Sequence, residues 1–289
     1  MTSPISLDIN IKSDTANKIL DIISQAGYAL YEPTKIRNIA AAKKDALLIK
    51  AKGSIEKTYI ERQAIARIAS IEIVRQDNIN KIAKKALDNV TDSGKKIDEN
   101  TESDWIRKYF NLSQDVSNEE MQNIWSKILA GEFIQSGSFS YKTLSILANM
   151  RQGDAQIFSK LCSYVVTVKE GRYVPLIFSD GSNGTYNNKQ FSFEDMQYLD
   201  SLGLIHFDNI ASYNLTVFEH AEILVDCCNQ LYVIKNDSGK FELSTGSALL
   251  AREGIELLKV IHIEPARELL DILMKNWITN GRTILKYIG

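Results

Sequence analysis

From Thr34 to Val90 the chain runs without a proline and with a single glycine, Gly53, through a stretch rich in Ala, Ile, Lys, Arg, Glu and Gln. Proline and glycine are the residues that interrupt helices most strongly, so almost nothing here stops helical propagation. One long helix, or two, is expected. Ile55, Tyr59, Ile65, Ile68, Ile71, Val74, Ile79 and Ile82 recur mostly at three- or four-residue steps, with drift. That spacing lays apolar side chains along one side and suits a helical hairpin or a loose coiled coil.

The same stretch carries the main electrostatic signal. Between Lys35 and Val90, thirteen basic residues stand against six acidic ones, a local +7 in a chain of formal net charge −2. Such a balance excludes a protein whose whole surface binds polyanions, but it leaves a local basic helix. That helix can run along phosphates or dock on the acidic remainder of the chain. Lys43, Lys44, Lys50, Arg62, Arg67, Lys84 and Lys85 are the candidates for phosphate contact. The segment lacks clustered aromatics that stack on unpaired bases, and the bulky anchors of a membrane-surface helix are mostly missing.

A length of 289 residues with 44% hydrophobic content suggests two domains, or one domain with a long appendage. The polar run Asp92-Ser-Gly-Lys-Lys-Ile-Asp-Glu-Asn-Thr reads as a hinge or a boundary, which sets off residues 1–98 as a long basic helical segment. A helical module is expected over 99–163. Its first helix starts behind Ser103 or Asp104, and its second opens on a capping box of Ser117 and Glu120. In that second helix Met121, Ile124, Trp125, Ile128 and Leu129 form one apolar face, and Gly131 fits a C-terminal stop. Ser138 or Ser140 caps a third helix and Asp154 starts a fourth.

Residues 164–289 read as an α/β part. Tyr164 to Val168, Tyr173 to Phe178, Leu204 to Phe207, Tyr213 to Val217, Gln230 to Lys235 and Phe241 to Ser244 are β-rich, with Asn236-Asp-Ser-Gly as a tight turn. Ser192 caps a helix that stops at Gly203. Thr245 to Ile261 reads as helical or part-helical, and Pro265 opens a last helix, Ala266 to Trp277, before a short tail. Leu199-Asp-Ser-Leu-Gly-Leu-Ile followed by Phe241-Glu-Leu-Ser-Thr-Gly-Ser-Ala-Leu-Leu resembles the helix, strand and wing order of winged-helix domains. The fold class expected is therefore α+β, mainly α.

No catalytic constellation, metal centre or cofactor site emerges. His206, His220 and His262 have no zinc-site spacing, and Cys162, Cys227 and Cys228 read as reduced, mostly buried thiols. Glu119, Glu120 and Glu132 sit on or beside the Trp125 helix, where paired carboxylates can hold a metal or do acid-base work, but Glu119 and Glu120 point apart and no pair stands out. The loop Asp180-Gly-Ser-Asn-Gly-Thr lacks the ending of a phosphate-binding P-loop. No secretory leader is read at the N-terminus, and the most apolar run, Ala211 to Cys228, holds Asn214, Glu219, His220, Glu222 and Asp226. A cytoplasmic protein without a membrane span is expected.

Within Ser117 to Phe158, the residues Glu-Glu-Met-Gln-Asn-Ile-Trp-Ser-Lys-Ile-Leu-Ala-Gly-Glu, Gly-Ser-Phe-Ser-Tyr-Lys-Thr-Leu and Asp-Ala-Gln-Ile-Phe resemble the domain of unknown function 2806 family of bacterial proteins. Leu30-Tyr-Glu-Pro-Thr-Lys-Ile-Arg is similar to that family's entry into an Ala/Lys-rich helix. Trp125-Ser-Lys-Ile-Leu-Ala and the segment from Asp154 are similar to the Abi-alpha family, whose name implies abortive phage infection. Two functional readings follow: a non-enzymatic interaction protein, self-associating or partner-binding and acting in phage defence, or a nucleic-acid-binding protein using the basic helix and the winged-helix-like part. A hydrolase built on scattered carboxylates is the third and least supported.

Overall fold

The computed structural model describes residues 14–28, 30, 59–168, 171–181, 184–217, 222–236, 241–261, 263–278 and 282–287. The part of the expected long helix over 34–58, with Lys43, Lys44 and Lys50, and also His220, His262 and the turn after Asn236 lie outside them. The chain divides into two compact units, 1–148 and 149–289. Among the described residues helix outweighs strand, and strands belong to the second unit alone.

The first unit contains α1 (Asp14–Gln25), α2 (Tyr59–Ser93), α3 (Ser103–Ser113), α4 (Glu119–Ile134) and α5 (Tyr141–Asn149). In the second half of α2, Ile79, Ile82, Ala83, Ala86, Leu87 and Val90 are buried at the three- and four-residue steps that the sequence shows. They lie against α4. Polar ties fix the register: Asn78 Nδ2 donates to the Gln114 carbonyl at 2.9 Å and Asn89 Nδ2 to Ser126 Oγ at 3.2 Å. Trp125 is wholly buried. Tyr109 stacks on Trp105 and meets Trp125 edge-on, each with centroids 5.2 Å apart, and its hydroxyl donates to the Trp125 carbonyl at 2.6 Å. Burial raises the pKa of that hydroxyl well above its usual value.

Several local expectations are corrected here. Helix α3 already includes Ser103 and Asp104, and Glu102 precedes it without a side-chain cap. Asn118, not Ser117, caps α4, its Oδ1 accepting from Met121 N at 3.0 Å. Gly131 does not end α4, which runs on to Ile134; a Cβ at Gly131 would stand 2.7 Å from Phe139 Cε2, so the glycine serves a close approach within the helix. Ser140 does cap α5, accepting from Thr143 N at 3.2 Å. Asp154 is not the first residue of its helix but accepts from Arg151 N at 2.7 Å one turn back. The stretch expected as a hinge is tied down, with Asp98 N donating to the Phe133 carbonyl at 2.7 Å and Ser136 N donating to the Asp98 carboxylate at 3.2 Å.

The second unit opens with α6 (Gln152–Cys162), the hairpin β1 (Val165–Val168) and β2 (Arg172–Pro175), the pair β3 (Thr185–Tyr186) and β4 (Phe191–Ser192), and α7 (Phe193–Ser201). It continues through β5 (Ile205–Phe207), β6 (Tyr213–Val217), β7 (Glu222–Cys227), β8 (Gln230–Asn236), β9 (Phe241–Gly246), β10 (Ala248–Leu250), α8 (Arg252–Leu258), α9 (Leu269–Trp277) and β11 (Arg282–Lys286). Five strands form one antiparallel sheet in the order β11-β8-β7-β1-β2, while β5 pairs with β10 and β6 with β9. Ser192 caps α7 as expected, accepting from Asp195 N at 3.1 Å, and Gly203 beyond it takes a positive φ of 75°.

Differences from the sequence reading cluster late in the chain. Strand β9 persists to Gly246 and β10 follows, so the helix expected from Thr245 is confined to Arg252–Leu258. Helix α9 begins at Leu269 rather than Ala266, and the expected tail supplies β11. Strand β7 lies in the run judged too polar to span a membrane. Among the described residues no helix is long and apolar enough to do so.

Candidate functional site

The first half of α2 differs from the second in one respect: among the described residues from Tyr59 to Asp77, none is buried. Yet the apolar spacing does not stop there. Ile60, Ala64, Ile68 and Ile71 prolong, at three- and four-residue steps across Arg75, the line of Ile79, Ile82 and Ala86 that meets α4. Ile60 is 74% exposed, Ile68 57% and Ile71 40%. Burying a side chain of this size is worth about 1.5–3 kcal/mol. Covering this stripe would therefore release several kcal/mol, as burying any exposed apolar patch does, which makes it a candidate interaction surface.

Arg75 marks the changeover. Its guanidinium donates to the Asp115 carboxylate through Nε at 2.7 Å and through Nη2 at 3.1 Å, and through Nη1 to Glu72 at 3.0 Å. The bidentate pair fastens α2 to the connection after α3 at the point where burial begins. Asp115 and Glu72 also raise the pKa of the guanidinium.

Of the proposed phosphate contacts, Arg62, Arg67 and Lys84 are exposed, while Lys85 is half-buried and donates to Asn123 Oδ1 at 2.6 Å beside Glu119 at 3.5 Å. Helical spacing puts Arg67 and Lys85 on one line about 27 Å apart. They do not converge. Six basic residues of α2 are interleaved with five acidic ones, so the described part of the basic segment is close to neutral.

The other chemistry-bearing residues serve structure. Glu132 is buried and accepts from Gly137 N at 2.6 Å and Phe139 N at 3.1 Å, holding the connection from α4 to α5. The Asp180 carboxylate accepts from Asn188 N and Lys189 N, both at 2.8 Å, and lies below its usual pKa through these bonds although burial opposes them. No group of three or more His, Cys, Asp or Glu residues able to hold a metal ion occurs among the described residues. Cys162 and Cys227 are buried, but Cys228, expected to be buried, is exposed in the turn after β7.

Residues 62–274 match the family described as protein of unknown function (DUF2806). The chain belongs to the DUF2806 family. No curated protein and no solved structure matches it. The DUF2806 match opens at Arg62 inside α2 and closes at Met274 inside α9, so the family takes in both compact units and most of the apolar stripe.

Proposed function

We propose that this chain is a non-enzymatic interaction protein of the bacterial cytoplasm that binds a protein partner, or a second copy of itself, through the exposed stripe of α2. One observation carries the reading: Ile60, Ile68 and Ile71 continue a face that is already used for helix packing, yet they stand in solvent. A role in phage defence rests on the likeness of Trp125-Ser-Lys-Ile-Leu-Ala to the Abi-alpha family. In living cells, a photo-crosslinking amino acid placed at Ile68 is expected to yield protein adducts, whereas one at Ile210, 93% exposed in the second unit, yields few. Equal and low yields at both positions would remove the reading.

Nucleic-acid binding is the second reading, supported by the basic excess of residues 35–90 and by the order α7, β5, β10, a helix followed by an antiparallel strand pair. Against it, α7 carries Glu194, Asp195 and Asp200 and no Lys or Arg, so that helix would repel phosphate. Binding to duplex or single-stranded DNA or RNA that weakens steeply with salt and disappears without residues 1–98 would favour this second reading over the first.

A further inference from the structure

We propose that Cys227 and Cys228 form a covalent-modification site, closed by a hydroperoxide to a disulfide between neighbouring residues and reopened by a thiol reductant. Strand β7 ends at Cys227, and Cys228 and Asn229 make the turn into β8 with φ of 55° and 58°. Two successive left-handed residues are what a two-residue hairpin loop of this kind requires, and Asn or Gly usually fills the first place. Neighbouring side chains on a strand point to opposite faces, which keeps adjacent thiols apart. Here the turn brings them together: the two sulfurs are 3.7 Å apart, in van der Waals contact. One is exposed to a solute and the other is buried behind it.

That asymmetry orders the chemistry. The exposed Cys228 sulfur attacks a peroxide oxygen; the S–O bond forms, the O–O bond breaks, and the peroxide leaves as alcohol or water, giving a sulfenic acid. The Cys227 sulfur then displaces the hydroxyl from Cys228; the S–S bond forms, the S–O bond breaks, and the thiol proton leaves with the hydroxyl as water. Two thiols have lost two hydrogens and one peroxide has been reduced. Cys227 is buried behind Cys228, so an incoming peroxide meets the exposed sulfur first.

Adjacent Cα atoms are about 3.8 Å apart, short of the roughly 4.4–6.8 Å of relaxed disulfides. The closed ring is therefore strained and readily reduced, as labile rather than structural disulfides are. Closure would be felt next door, because Gln230 Nε2 donates to the Tyr287 carbonyl at 3.3 Å and Tyr287 N to the Leu231 carbonyl at 2.9 Å, where the end of β11 meets the turn.

The test is mass spectrometry of the purified full chain after hydrogen peroxide. The peptide holding both cysteines is expected to lose about 2 Da and to regain it with glutathione, while buried Cys162 stays unmodified. Cys228→Ser should abolish the loss and leave Cys227 reduced; Cys228→Asn, which tolerates the left-handed turn, replaces it if the serine chain does not fold. Peroxide that carries Cys228 on to a sulfinic acid, joins two chains, or leaves both thiols untouched overturns the proposal.

Discussion

Gly246→Ala is expected to unfold the second unit while leaving the first intact. Gly246 has a φ of 86°, and an added Cβ would lie 1.9 Å from the Ile177 carbonyl oxygen and 2.6 Å from its carbon. The obstacle is backbone, which cannot swing aside as a side-chain tip can. Ile177 is held on both sides of that glycine, its N donating to the Thr245 carbonyl at 3.2 Å and its carbonyl accepting from Ser247 N at 2.7 Å. Relief of the clash must break this joint, which connects the chain after β2 to the junction of β9 and β10. Left-handed strain adds about 1–2 kcal/mol, and with the lost bonds the total should exceed about 4 kcal/mol, a large share of a domain's stability. Hydrogen exchange read by mass spectrometry should show peptides of 149–289 losing protection while those of α4 keep it; native protection throughout would refute the account.

The second large effect is expected at Glu132. Glu132→Ala removes the acceptors of Gly137 N and Phe139 N, and an unpaired buried donor costs about 1–3 kcal/mol, so a loss of about 3 kcal/mol is expected in denaturant unfolding. Phe139 is the residue at risk, since its carbonyl also accepts from Trp105 Nε1 at 2.8 Å and its ring lies on Gly131. The wild-type carboxyl has a second signature. Burial raises its pKa above the usual value, against the backbone N–H groups that lower it and with a small push from Glu102. The folded state therefore holds the proton more tightly than the unfolded one, and the stability gained from this group is complete below the ordinary glutamate value, about 4.3. It is lost as pH rises through the raised value. Relative to Glu132→Gln, the wild type should lose stability with rising pH across that window; a rise instead would show that the hydrogen bonds outweigh burial. Asp98 works in the opposite sense, its carboxyl lowered by the Asn100 and Ser136 N–H groups, so its contribution fades as pH falls below the ordinary aspartate range.

Features set by near neighbours were legible in the sequence. Ser192 announces the start of α7, and the steps of Met121, Trp125 and Ile128 announce a buried face, because caps and helical stripes are local. Gly131 misled for the complementary reason: its purpose is the ring of Phe139, eight residues on, and no local rule distinguishes that from a stop. Glu132 resembles any surface acid until the N–H groups it accepts from are in place. β11 looked like a tail because its partner β8 lies some fifty residues earlier in the sequence. The candidate surface was half legible. Periodicity revealed Ile68 and Ile71 of the stripe on α2, though the reading passed over Ile60 and Ala64 and took in Tyr59, Ile65 and Val74, but nothing local tells Ile79, which is buried, from Ile68, which is exposed.

The pairing of β11 with β8 also bears on synthesis. The sheet of the second unit cannot be completed until residues 282–286 have left the ribosome, and Ala266 N reaches back to the Ser163 carbonyl at the start of the same unit. The contacts of the first unit all lie within residues 1–148, so its helices can close while translation continues. For the time needed to make more than a hundred residues, a nascent chain therefore carries a finished helical unit followed by a sheet that still lacks its β11 edge. That interval is when chaperones would have most to shield.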